Sequence, residues 1–124
     1  MKEEIIASFE KSLMRLEEAL KQPKTIMSRD AAIQRFEFTA ELAWKSIQRF
    51  MRTQKIICRS PKECLASAFK FDLVSDDERW LKIMEDRNLT VHTYNEEIAD
   101  EIYSRLPQYL PLFNDLKVKL KNSN

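Results

Sequence analysis

The residue types that can do chemistry are concentrated in one segment. Glu85 to Tyr94 reads Glu-Asp-Arg-Asn-Leu-Thr-Val-His-Thr-Tyr and holds His92, the only histidine in 124 residues. Any reaction that needs an imidazole is therefore confined to it. Arg87 stands five residues before His92, and Tyr94 two after it. On an unbroken helix Asn88 and His92 share a face with Leu81 and Glu85, so the Asn88 amide can orient the ring. Arg87 lines up instead with the apolar Trp80, Met84 and Val91, and Tyr94 follows it seven residues on. A guanidinium on the stripe that should meet the core breaks the local pattern, and such breaks gather at functional sites. The competing reading is structural: an arginine that snorkels from a helix end and a histidine that caps its own helix.

One imidazole per chain limits the options. Cleaving RNA through its own 2′-hydroxyl takes a base, an acid and a cation for the charged phosphorane. A two-fold dimer supplies all three, because it brings together two Arg87 and two His92. General acid–base catalysis by imidazole is worth about 10²–10⁴-fold. Arginines hold a phosphate bidentately and stabilise the charge that develops on it. Such a site needs no cofactor and no metal. The two cysteines, Cys58 and Cys64, make a poor zinc site with a single histidine. They are expected as reduced, partly buried thiols of a cytoplasmic protein.

The elements that must position this segment follow from composition and periodicity. A chain of 124 residues reads as one domain, 1–124, burying roughly two-thirds of its extended surface. Its Met-Lys-Glu-Glu start is amphipathic, unlike a signal peptide, and no apolar run approaches a membrane span, so no membrane role is expected. The absence of glycine excludes the glycine-rich phosphate loops of P-loop and dinucleotide-binding proteins and disfavours tight hairpins. Net charge is +1, so bulk charge says nothing about a nucleic-acid partner. Local charge does. Between Glu41 and Glu63 there is no acid but there are six bases, of which Lys45, Arg49 and Arg52 share a helical face. That face is either solvated or a track for a phosphate backbone.

Ile5, Phe9, Leu13, Leu16 and Leu20 form the stripe of a first helix that Pro23 ends. Asp30 is expected to cap a long second helix reaching about Gln54, with Ile33, Phe36, Ala40, Ala43, Ile47 and Phe50 as its core stripe. Phe38 and Leu42 lie on the opposite side, which predicts a second packing surface for another subunit or a partner. Ser60-Pro61-Lys62-Glu63 is a capping box opening a short third helix to about Phe71, with Leu65, Ala68 and Phe69 inward. Ser75-Asp76-Asp77-Glu78 is a second box and opens the fourth helix. Thr93 or Asn95 then caps the last helix, whose stripe is Leu106, Tyr109, Leu110, Phe113, Leu116 and Leu120. Pro107 and Pro111 bend or restart it, and a basic, frayed tail ends it. The Arg87–His92 segment thus falls at a helix end beside a turn. The expected fold is an all-α, up-and-down antiparallel four-helix bundle with an additional short helix.

The motif Arg87-Asn88-Leu89-Thr90-Val91-His92 resembles the Arg-polar-x₃-His signature of the HEPN superfamily, and with Thr93 and Tyr94 the longer Arg-x₄-His-x-Tyr form of HepT-type toxins. Arg35 through Lys45, Ser60-Pro61, and Trp80 through Tyr94 are similar to the nucleotidyltransferase substrate-binding branch of that superfamily. The resemblance implies a homodimeric helical bundle with both motifs lining an interface cleft. It implies a metal-independent endoribonuclease toxin of a type VII-like HEPN/MNT toxin–antitoxin pair, with Arg87 and His92 catalytic, Asn88 orienting, and RNA as substrate. It also implies a partner, a cognate MNT-type nucleotidyltransferase antitoxin that adds AMP groups to the motif tyrosine, here Tyr94. The alternative is a non-catalytic substrate-binding subunit of a two-component nucleotidyltransferase. Relatives commonly place glycine before the Ser-Pro block and after the short helix; Thr53–Ile57 and Phe71–Asp72 contain none.

Overall fold

A computed structural model describes residues 2–122, with side-chain surroundings from residue 4 onward. Among the described residues there are five α-helices and no strand: α1 (Lys2–Leu20), α2 (Ile26–Thr53), α3 (Pro61–Lys70), α4 (Arg79–Leu89) and α5 (Glu96–Asn122). A single 3₁₀ turn, Thr90–His92, separates α4 from α5. The expected all-α bundle is the one observed. The 28-residue α2 is its centre and touches every other helix. α1 lies along it on one side, α5 packs on α1, α2 and α4, and α3 bridges α2 and α4.

The predicted stripe on α2 is the core: Ile33, Phe36, Ala40, Ala43 and Ile47 are at most 4% exposed, and Phe50 is buried beside them. Phe36 stacks on Tyr109, and Phe113 meets Phe9 and Trp80 edge-on, so aromatic rings from four helices share one layer. On α1 the buried stripe is Ile6, Phe9, Leu13 and Leu16, with Ile5 and Leu20 only half-buried at its edges. Ser12 and Thr39 satisfy each other across the α1–α2 seam at 2.8 Å.

Helix starts depart from expectation. α2 begins at Ile26, not after Asp30, because Thr25 and Ser28 form a reciprocal capping box. Asp30 instead joins Glu96 and Asp100 around Arg29, whose side chain is only 4% exposed. That cluster clamps the start of α2 to the start of α5. The hydrogen bond that Arg29 donates to Glu96, then the one to Asp30, holds the guanidinium firmly protonated. Ser60 caps α3 as expected. Ser75 does not cap α4; the Asp77 carboxylate accepts from the Arg79 N–H at 2.8 Å and moves the start to Arg79. Phe69 points outward at 50% exposed, and Leu73 and Val74 of the following turn fill the core in its place. Asn95, not Thr93, caps α5 by accepting from the N–H groups of Glu97 and Ile98. α5 runs through Pro107 and Pro111 as far as Asn122, while Ser123 and Asn124 of the expected frayed tail lie outside the described residues.

Cys58 and Cys64 are not free thiols. They form a disulfide that closes the loop into α3, and both are buried, at 2% and 0% exposed. Without glycine, the two turns that commonly carry it place Lys55 (φ 63°) and Asp72 (φ 60°) in the left-handed region. A β-carbon there costs about 1–2 kcal/mol, which aspartate softens by local hydrogen bonding and lysine does not. Lys55→Gly should therefore raise stability by up to about 1 kcal/mol, read as a higher urea midpoint at unchanged slope; Gln54→Gly, one residue earlier at φ −94°, should lower it.

Candidate functional site

Asp86, Arg87 and Asn88 occupy consecutive positions near the end of α4, so their side chains fan out by about 100° each. Asp86 faces in and is fully buried, at 0% exposed. It accepts two hydrogen bonds from Arg105, at 2.8 and 2.7 Å, and a third from the Tyr109 hydroxyl at 2.6 Å. Burial first, then that hydrogen bond to Asp86, pushes the Tyr109 phenol well above its ordinary pKa. Arg105 is held protonated by the same carboxylate. A buried charge requires this kind of full partnership, and here it fixes the rotation of α4 on α5.

With Asp86 turned inward, Arg87 turns toward α2. Its Nη2 donates to Glu41 and its Nη1 to Asn88 Oδ1 at 3.2 Å, while Nε is buried without a partner. The side chain is 35% exposed, so the fixed guanidinium keeps an open edge. Glu41 also accepts from Lys45 at 3.1 Å and from the Trp44 indole at 3.2 Å. Burial pushes the Glu41 carboxyl up, but the hydrogen bonds from Lys45 and Trp44 and the charge of Arg87 outweigh it, and the net effect is downward. A carboxyl held low stabilises the fold above its ordinary titration range and loses that effect as pH falls through its folded value. The clamp on Arg87 is thus intact at neutral pH.

The helix does not continue to His92. The Thr90 hydroxyl donates to the Arg87 carbonyl at 2.7 Å and that of Thr93 to the Thr90 carbonyl at 2.9 Å as the chain tightens into its 3₁₀ turn. His92 and Tyr94 stand on this turn in solvent, Tyr94 at 82% exposed. Their rings meet edge-on with centroids 6.0 Å apart, and the phenol lies 3.5 Å from His92 Nδ1. The stripe of Trp80 and Met84 therefore ends at Arg87, and Val91 is 68% exposed. Asn88, expected to share a face with His92, is joined to Arg87. Arg87 and Asn88 line a groove of about 320 Å³ to which His92 does not contribute. Within one chain the structure joins Arg87 to Asn88, and His92 to Tyr94, as two separate pairs.

Lys45 reaches this site through Glu41. Arg49 and Arg52 continue from it along α2 and, with Ile5 and Gln48, line a shallow groove of about 100 Å³. Among the described residues no group of three or more His, Cys, Asp or Glu stands together in a way that would hold a metal ion. No helix among them is long and apolar enough to cross a membrane. Sequence reasoning missed Glu41 and the Asp86–Arg105–Tyr109 cluster. The available signal for the first was an acid at the head of a run of bases, i,i+4 to Lys45.

Similar proteins are known. The family described as "Nucleotidyltransferase substrate binding protein like" matches residues 4–122. A Haemophilus influenzae protein named "Probable ribonuclease HepT" is 33% identical over 98 residues, which are 75% of this chain and 67% of that one. The crystal structure of a Thermus thermophilus protein superposes with a TM-score of 0.84 at 40% identity, covering 90% of this chain and 98% of its own. A Haemophilus influenzae structure, described as revealing the fold of a substrate binding domain of a nucleotidyltransferase, superposes at 0.72 with 26% identity, covering 97% and 96%.

The geometry separates the acid that holds the fold from the cation it presents. Asp86→Ala should cost about 3 kcal/mol, since it strands a half-buried arginine and a buried phenol. Arg87→Ala should cost about 1 kcal/mol or less, because its pair with Glu41 is partly solvated. Thermal melts of the two variants should differ accordingly.

Proposed function

The chain belongs to the nucleotidyltransferase substrate-binding, HepT-like family, and from that membership we propose that it is a metal-independent endoribonuclease whose active site is completed by a second copy. The observation that carries this reading is the split site: a guanidinium clamped in place with one open edge, and an exposed imidazole a few residues on, 3.5 Å from the Tyr94 phenol. Two copies facing each other supply two such halves. One His92 takes the proton of the 2′-hydroxyl as its oxygen attacks phosphorus. The other copy's imidazole gives a proton to the departing 5′-oxygen. The products are a 2′,3′-cyclic phosphate and a 5′-hydroxyl. Arg87 holds the non-bridging oxygens, and Glu41 and Asn88 fix its aim. Lys45, Arg49 and Arg52 carry the flanking phosphates. Phe38, 44% exposed beneath the Arg35 guanidinium, and the half-buried Leu42 form the apolar part of the dimer face.

In solution the protein should scatter light as a dimer, twice 14.8 kDa; a monomer at micromolar concentration would sink the shared site. His92→Ala should lower RNA cleavage by about three orders of magnitude, and Arg87→Ala by about two, with helicity and dimerisation retained. Cleavage that survives His92→Ala, or stops on adding EDTA to the wild type, counts against the mechanism.

The alternative, a non-catalytic subunit that presents a substrate to a nucleotidyltransferase, is favoured by the charge of Arg87 being already matched by Glu41. Both readings share the partner, a cognate MNT-type nucleotidyltransferase antitoxin, and Tyr94 is the residue it modifies. A phenol this exposed, 3.5 Å from His92, accepts an AMP group without repacking. Its phosphate then pairs with Arg87 and its bulk fills the cleft. Incubation with the nucleotidyltransferase and ATP-Mg²⁺ should add AMP to the Tyr94 peptide and silence cleavage. Tyr94→Phe should keep cleavage yet escape that silencing; full neutralisation of the variant would point to occlusion by the partner instead.

A further inference from the structure

The groove beside Arg87, about 320 Å³, runs between the start of α3 and the outer face of α4. Its walls are Pro61, Leu65, Leu81 and Met84, and Glu85 and Asn88 edge it with polar atoms. Leu81 stays 49% exposed, an apolar side chain standing at an open mouth. Asn88 already gives its side-chain oxygen to Arg87, so its remaining hydrogen-bonding group is the amide NH₂. The Glu85 carboxylate can only accept, and its ion pair with Lys82 is solvent-exposed at 3.5 Å. Two cations, Arg87 and Lys62, the Ser60 hydroxyl, an amide donor and a carboxylate acceptor thus border one apolar slot.

We propose that this groove is a nucleobase subsite: it receives the base attached to the phosphate that Arg87 holds, and it selects adenine or cytosine. Bases read by proteins in single-stranded RNA are splayed from the stack into pockets and recognised on their Watson–Crick edges. Mostly apolar walls with a few placed polar groups suit a flat heterocycle, and the Met84 thioether packs favourably on an aromatic ring. The Asn88 NH₂ and the Glu85 carboxylate put a donor and an acceptor on the edge of the one groove. Adenine and cytosine present the complement, a ring-nitrogen acceptor next to an exocyclic amino donor. Hypoxanthine presents a carbonyl and a ring N–H in the reverse order, and so does uracil at O4 and N3–H. Placed as adenine or cytosine is, each sets its oxygen against the carboxylate, and uracil must shift along its edge to use N3–H and O2 instead. Discrimination of this kind is worth about tenfold or more in affinity per matched pair of hydrogen bonds.

The subsite rests on the phosphate-holding role of Arg87 proposed above, but on binding alone and not on cleavage. The test uses the full chain labelled at its methionine methyl groups, with the Met84 signal assigned by Met84→Leu. The ligands are the 5′-monophosphates of adenosine, inosine, cytidine and uridine, and ribose 5-phosphate. The adenosine and cytidine ligands should shift the Met84 methyl by ring current and bind about tenfold more tightly than their inosine and uridine counterparts. Glu85→Gln, at an exposed position, should remove that preference because an amide both donates and accepts. Leu81→Trp fills the groove and should reduce adenosine monophosphate affinity to that of ribose 5-phosphate, with circular dichroism checking that the variant is folded. Equal affinity for all four nucleotides, or a Met84 methyl that none of them moves, overturns the subsite. Base-selective binding by a protein that leaves RNA intact upholds the subsite and removes the ribonuclease reading; cleavage with a silent Met84 does the reverse.

Discussion

A carboxylate without water must be answered by the protein around it, and Asp86 is the place where this chain meets that demand. Three hydrogen bonds from Arg105 and Tyr109 converge on it. Helix α4 has 11 residues, a length at which an isolated helix is marginal in water. Its position comes from tertiary contact, and the most specific contact is this one. Trp80 and Ile83 give α4 an apolar side, but apolar packing alone tolerates some rotation. Charged hydrogen bonds tolerate little. Because Asp86 and Arg87 are neighbours in sequence, settling the first inward leaves the second directed at α2.

What the sequence revealed about the fold was what repeats. The α2 stripe from Ile33 to Phe50 and the α5 stripe from Leu106 to Leu120 follow the helical period, and burial follows them, with Leu110 at the edge of the core. Helix starts do not repeat, and two of them rest on side chains whose competitors looked better. Thr25 with Ser28 outdid Asp30, which is recruited by the buried Arg29, and Asp77 outdid Ser75. The missing glycines marked the two turns correctly, yet only the folded backbone shows that Lys55 and Asp72 carry the left-handed conformation themselves. The disulfide was illegible for a related reason. Whether cysteines six positions apart are bonded depends on how the loop folds, and this loop brings their α-carbons to 5.1 Å, within bonding range.

The candidate site was legible in its rarest residues and not in their supports. A lone histidine and an arginine on an apolar stripe stand out in any reading of this chain, and the exposed His92–Tyr94 pair lies where they pointed. Glu41 lies 46 residues from Arg87 and belongs to another helix, so no local pattern joins them. Nothing local in the sequence distinguishes Asp86 from a surface acid. Its partners Arg105 and Tyr109 are 19 and 23 residues downstream, and a buried acid is recognisable only once they are placed.

The pair between Glu41 and Arg87 also means that this guanidinium is never without a negative neighbour. A tethered carboxylate acts at an effective concentration in the millimolar range or above, so it is a standing rival for every anion that diffuses in. A small, singly anchored anion gains one cation and must contend with that rival for it. A chain of phosphates that also reaches Arg49 and Arg52 gathers several counter-charges at once, and releases bound salt ions as it does. On the reading that Arg87 holds the phosphate of an RNA, the carboxylate grades ligands by valency before any group is recognised, turning away dilute monoanions and admitting polymers of the same charge density.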